Sequence, residues 1–157
     1  MIDLVVDLIR QSEINLEKNM YFYIEPEVSG GFGDNSVIDS SVHPPIVLKL
    51  HYQFDGWLGD DFLESFPCYI VSEPLAEEIK SAGLVGYTFD DVEVSKSEQF
   101  EELYPGKNLP KFYWLKVTGV SRRDDFGISE DYRLVVSNEA LKVLKKGKLT
   151  EADIEAC

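Results

Sequence analysis

The chain carries few residues able to do covalent or acid–base chemistry. It has two histidines, His43 and His51, and two cysteines, Cys68 and Cys157. A zinc site wants closely spaced His or Cys ligands, and neither His-x-x-x-His nor Cys-x-x-Cys occurs, so no metal site is expected. A serine nucleophile would announce itself as Gly-x-Ser-x-Gly, which is absent, and Cys68 stands inside the apolar run Cys68-Tyr69-Ile70-Val71, where a thiol behaves as a small hydrophobe. Carboxylates are paired at Glu25/Glu27, Asp60/Asp61, Asp90/Asp91 and Asp124/Asp125. Their abundance makes solvated charge the simpler reading of each pair. No catalytic residue and no cofactor is therefore expected. One alternative stays open: a small cytosolic hydrolase or transferase with a cleft lined by Glu25, His43, His51 and Asp55, which would bring His51 against a carboxylate of perturbed titration.

A binding surface is better signalled. Between the apolar runs Ile46–Tyr52 and Cys68–Val71 lies Asp55-Gly56-Trp57-Leu58-Gly59-Asp60-Asp61, a Trp, two glycines and three carboxylates on what reads as a loop. Large aromatics on loops serve as binding anchors, so Asp55, Trp57, Asp60 and Asp61 are the expected partner-binding residues, joined by Asp124 and Asp125 from a second acidic loop. The competing reading folds Trp57 back as a lid on the core.

Charge selects among partners. The 157 residues hold 29 Asp and Glu against 15 Lys and Arg, a formal charge of −14. Nucleic acid and anionic membranes both require a positive footprint, so both are disfavoured, and a basic protein is the partner this sign allows. Acidity also serves solubility alone. No apolar run reaches the roughly 18 residues of a membrane span, and no basic leader with a cleavage site is evident. A disulfide would have to tie the Cys68 strand to Cys157 at a frayed end. Two reduced thiols and a cytoplasmic location are expected.

The elements that must position these residues read as a single α+β domain over 1–157, long enough to bury an independent core. Helical spacing of Ile2, Val5, Val6, Ile9, Ile14 and Leu16 predicts an N-terminal helix within 1–19. Strands are expected at Tyr21, Ile46, Cys68, Tyr87, Phe112 and Leu134, forming a mostly antiparallel sheet, with further helices after Ser72, Ser97 and Ser137 gathered mainly on one side. Residues 27–45 and 121–131 read as loops, and 150–157 as a flexible tail. Gly30-Gly31-Phe32-Gly33 invites a phosphate-cradle reading, but a proline-containing loop follows it where a helix N-terminus is required. Tyr69–Ile79 and Leu134–Leu144 share one plan, with Ser72 matching Ser137, Ile79 matching Leu144 and Leu84 matching Leu149. Either a duplicated strand–helix unit or two junctions using the same capping chemistry would give this.

The aromatic strand with Glu25-Pro26-Glu27 and Gly30-Gly31-Phe32-Gly33, together with Tyr132-Arg133-Leu134-Val135-Val136-Ser137 leading into Glu139-Ala140-Leu141, resembles the bacterial immunity-protein families encoded beside polymorphic toxins. The resemblance lies mainly in the C-terminal third. It implies a non-catalytic protein that neutralises a cognate toxin domain by occluding its basic surface. No binding residue carries over, because interface positions in such families vary with the toxin.

Overall fold

A computed structural model of the chain describes residues 2–157, with the backbone alone for residues 2, 14, 15, 17 and 18. In chain order the elements are α1 (Ile2–Lys18), β1 (Tyr21–Glu25), β2 (Gly30–Phe32), β3 (Val37–Asp39), β4 (Ile46–Lys49), β5 (His51–Phe54), β6 (Phe62–Ser65), β7 (Cys68–Ser72), α2 (Glu73–Ser81), β8 (Tyr87–Asp90), β9 (Glu93–Lys96), α3 (Glu98–Leu103), β10 (Phe112–Val117), β11 (Phe126–Ile128), β12 (Leu134–Ser137), α4 (Asn138–Leu144) and β13 (Asp153–Ala156). The fold is α+β and its pairings are antiparallel throughout the main sheets, as the sequence indicates.

A central sheet, ordered β6-β7-β10-β8, separates two cores. Side chains alternate across a strand, so Tyr69 and Val71 enter one core while Cys68 and Ile70 enter the other, and β7 is buried along its whole length. The first core joins this sheet to an outer sheet, β11-β12-β1-β13, and to the apolar faces of α2 (Leu75, Ala76, Ile79) and α4 (Ala140, Leu141, Leu144). The second lies against a small sheet, β2-β5-β9, whose Tyr52 and Phe54 meet Phe112, Trp114 and Phe100 of α3.

Several sequence boundaries shift. The expected single sheet is divided, and the Ile46–Tyr52 run breaks at buried Leu50 into β4, paired in a hairpin with β3, and β5 in the small sheet. The 27–45 segment contains β2 and β3, and the 121–131 segment contains β11. In place of a tail, β13 pairs with β1 from Phe22↔Ala156 to Glu25↔Asp153. While α2 and α4 share the first core, α3 serves the second. Helix α1 forms where its spacing predicts, but Leu4, Val5, Leu8, Ile9 and Leu16 are all more than half exposed. Of the stripe read from sequence, the side chains of Ile2 and Ile14 lie outside the described residues.

The glycine-rich segment has a packing explanation. A Cβ on Gly30 would stand 1.8 Å from the Gln53 carbonyl oxygen, and one on Gly33 would stand 2.2 Å from the His51 ring. These two positions are glycine because β2 and the following turn press directly on β5.

The matched strand–helix units extend into a larger internal symmetry. Hairpin β6-β7, helix α2 and strand β8 correspond to hairpin β11-β12, helix α4 and strand β13, and in each set a central strand, β10 or β1, lies between the hairpin and the last strand. Phe112 pairs with Ser72 as Tyr21 pairs with Ser137. Since β1 precedes the first unit and β10 precedes the second, each unit inserts its leading strand into the sheet of the other. The junctions match atom for atom. The Asp61 carboxylate accepts from the Ser72 hydroxyl (2.7 Å) and from the Lys148 amide beyond α4 (2.6 Å). Asp125 accepts from the Ser137 hydroxyl (2.6 Å) and from the Val85 amide beyond α2 (2.8 Å). Shared capping alone gives a serine before a helix; it does not give these reciprocal carboxylate bridges, and the duplicated unit is the reading they favour.

Candidate functional site

The loop singled out from sequence is built into the fold from its base. Buried Glu27 accepts from the amides of Leu58 (3.1 Å) and Asp60 (3.4 Å) and from the Ser29 hydroxyl. Asp60 is fully buried, and its carboxylate accepts from the Thr150 amide (3.1 Å), the Thr150 hydroxyl (3.0 Å) and the Glu151 amide (2.8 Å). Trp57 donates from Nε1 to the Asp60 carbonyl (2.9 Å) and lays its ring against Phe54 and Phe112, with Lys107 Nζ 5.0 Å from its centroid. It is the lid of the second core. Asp61 and Asp125 hold the helix junctions, and Asp124 accepts from the Val120 amide (2.7 Å). Of the six residues expected to meet a partner, Asp55 alone is exposed with a side chain free for contact, beside exposed Leu58. The physical reason is that a carboxylate between packed elements finds amide donors there, and sequence spacing cannot distinguish such an acceptor from a solvated one.

The alternative cleft is not assembled. His51 is buried in the small sheet, where Nε2 lies 2.6 Å from the Ser95 hydroxyl and Nδ1 accepts from the Asn35 amide (3.2 Å). Its nearest carboxylate is Glu93, at 3.5 Å, and not Glu25 or Asp55. His43 sits apart from His51, edge-on to Tyr132 and tilted to Phe66, two residues of the pocket that Glu25 also lines. Burial pushes the Cys68 thiol up to about 12, which leaves it protonated and inert, while Cys157 is exposed.

What the structure does bring together lies on the solvent face of the outer sheet and at the rim of the first core beside it. Tyr23 and Glu25 alternate with core-facing Phe22 and Ile24 along β1 and so face outward. Three adjoining hollows that share lining residues, together forming the groove, lie around them. One, of about 850 Å3, lies among Tyr23, Val120, Arg122, Ile128 and Asp131. Arg133 lines the other two, a recess of about 350 Å3 beside Asp153 and Glu155 and, at the rim of the first core, a pocket of about 320 Å3 walled by Glu25, Glu64, Tyr69 and Tyr132. Six carboxylates line the groove, from Glu25, Glu64, Glu130, Asp131, Asp153 and Glu155, against the guanidinium groups of Arg122 and Arg133. Arg133 lies 3.6 Å from the Tyr23 ring centroid and pairs with Glu155 at 3.2 Å.

Within the groove one carboxyl stands apart. Burial, reinforced by neighbouring Glu25, raises Glu64 to about 7. Burial also holds the Tyr69 hydroxyl well above the ordinary phenol range, with the charges of Glu64 and Glu25 adding to it. Among the described residues no group of three or more His, Cys, Asp and Glu side chains is placed to hold a metal ion. The chain matches no protein-family model, and no curated protein sequence matches it.

Glu25 is the one groove residue visible in advance, and it stood in the alternative cleft. Glu64, Tyr69, Asp131 and Arg133 were missed. The single local signal was Glu64 itself, a carboxylate inside the apolar run Phe62-Leu63-Glu64-Ser65, where a solvated residue would not be expected on a covered strand.

Proposed function

We propose that this chain is a stoichiometric binding protein whose acidic groove covers a basic surface of another protein, in the manner of an immunity protein that neutralises a toxin domain. The observation that carries the reading is the groove's charge: six carboxylates against two guanidinium groups, one of which is paired internally. The overall charge of −14 supports it, since a negative field speeds encounter with a basic partner and disfavours nucleic acid and anionic lipid. Among the described residues no helix is long and apolar enough to cross a membrane, and His51 is held by Ser95 and Glu93, away from Glu25 and Asp55.

The test is affinity capture with the tagged protein at low and then high salt, alongside a variant carrying Glu130→Lys and Asp153→Lys. Both positions are exposed. The wild-type protein is expected to retain one basic protein in stoichiometric amount, released by salt, and the variant to lose it. Equal capture by both, or no basic partner when the neighbouring genes are expressed, would remove the groove reading.

A further inference from the structure

The pocket walled by Glu25, Glu64 and Tyr69 gathers hydrogen-bond acceptors that no described residue engages. Tyr69 is 3% exposed, its ring stacks on Phe62, and its hydroxyl opens on the pocket with no hydrogen bond to any described residue. No buried side-chain nitrogen or oxygen among the described residues lacks a partner, so this hydroxyl is open to solvent at the pocket, where an incoming donor can reach it. The Glu25 and Glu64 carboxylates beside it also make no hydrogen bond or ion pair with a described residue. Glu64 resists ionisation because of its burial and because of Glu25. From the β11–β12 loop, Asp131 adds a third carboxylate, held by the Ser129 hydroxyl. The resident cation does not neutralise this set: Arg133 lines the pocket but is engaged by the Tyr23 ring and by Glu155. At the rim, Phe66 and Tyr132 are each 42% exposed, with His43 packed against both.

We propose, building on the basic-partner reading, that this pocket receives one basic side chain of the partner, a guanidinium or ammonium group on an aliphatic stem, with Glu25, Glu64 and the Tyr69 hydroxyl as its acceptors. The volume of about 320 Å3 lies at the small end of ligand pockets, roughly 300–1,000 Å3. The acceptors do not converge tightly enough to close on a metal ion, whereas a forked, multi-donor cation can bridge dispersed oxygens. Ile24, Phe66, Tyr132 and Leu134 supply apolar and aromatic walls for the methylene stem. Entry of the cation lets Glu64 ionise, so binding takes up a positive charge and releases a proton.

The experiment titrates acetyl-arginine methylamide and acetyl-lysine methylamide into the full chain near pH 7, following the side-chain carboxyl resonance of Glu64 by NMR at constant ionic strength. The expected result is a saturable shift with one or both probes, a Glu64 midpoint that moves down, and binding about tenfold weaker in Glu64→Gln, the loss of one charged contact worth about 1.4 kcal/mol. Tyr69→Phe, which removes one oxygen from a stacked ring, should weaken binding a few-fold while the chain stays folded by its amide spectrum. A shift that never saturates, one that sodium or magnesium chloride reproduces, or one that survives Glu25→Gln with Glu64→Gln would overturn the proposal. Retention of a captured basic protein at full affinity by that double variant would also overturn it, and would leave the groove reading standing. Saturable probe binding without any captured protein would support the pocket and count against the groove reading alone.

Discussion

Asp60 is the residue at which a binding role and a structural role predict opposite experiments. Asp60→Ala removes a fully buried carboxylate that accepts two hydrogen bonds from Thr150 and one from the Glu151 amide, and whose own amide donates to Glu27. Hydrogen bonds to a charged acceptor contribute about 1.5–3 kcal/mol each, but Thr150 and Glu151 are exposed, so water recovers part of what their donors lose. The expected cost is about 3 kcal/mol, three such bonds less what water recovers. Asp60→Asn, which keeps one acceptor oxygen and turns an amide group toward a donor, should cost about 2 kcal/mol. Asp55→Ala, on the same loop but exposed, should stay within about 0.5 kcal/mol. Urea unfolding at pH 7 measures all three as midpoint shifts at unchanged slope. An Asp60→Ala protein as stable as wild type, or an Asp55→Ala protein equally weakened, would refute the view that this loop is held by its carboxylate. The same measurement must precede any binding assay on Trp57 and Asp60, because a loss of affinity in an unfolded loop says nothing about contact.

Asp61→Ala and Asp125→Ala each remove a two-bond bridge between one helix start and the end of the other helix; each should cost about 2 kcal/mol by the same unfolding assay, and the two should agree within about 0.5 kcal/mol. Glu64 binds its proton more tightly in the folded state than in the unfolded chain, so the wild-type protein loses stability as pH rises from the ordinary value of 4.5 through about 7. Glu64→Gln removes this, and its advantage over wild type should be near zero at pH 4.5 and grow to about 1–2 kcal/mol by pH 8, after allowing for solvent screening of a partly exposed group; an advantage independent of pH would contradict the assignment. Gly33→Ala should destabilise the protein by more than about 2 kcal/mol in thermal or urea unfolding, since the new methyl meets the His51 ring.

The sequence was most legible where local chemistry decides structure. Ser72, Ser97 and Ser137 each accept from the amide three residues on, as their positions before apolar-periodic segments require. The strand at Phe112–Val117 and the helices at Glu73, Glu98 and Asn138 follow from periodicity and caps. What stayed hidden depends on partners distant in the chain. The Asp153–Ala156 strand is short, fully exposed and charged, and becomes a strand only because β1 offers it an edge. Asp60 and Asp55 are chemically identical in sequence, and only the approach of Thr150 separates them. Nothing near Glu64 in the sequence announces Glu25, because the two come together through the bridge Glu27↔Leu63, between segments far apart in the chain. The serine match is visible in the sequence; the one aspartate that completes each junction, Asp61 or Asp125, lies outside the strand–helix unit and reads there as an interface residue.

The exchange of leading strands sets a schedule for folding during synthesis. Strand β1 is made well before its two neighbours, β12 and β13. The first unit likewise waits for β10 before its own sheet has a middle strand. Neither half can therefore close ahead of the other, and a nascent chain must carry an aromatic, unpaired β1 until β12 and β13 are made, exposed to any edge that would pair with it. Cutting the connection between the units would not yield two smaller proteins; coexpressed as separate pieces, they should recover structure only by reassembling with each other.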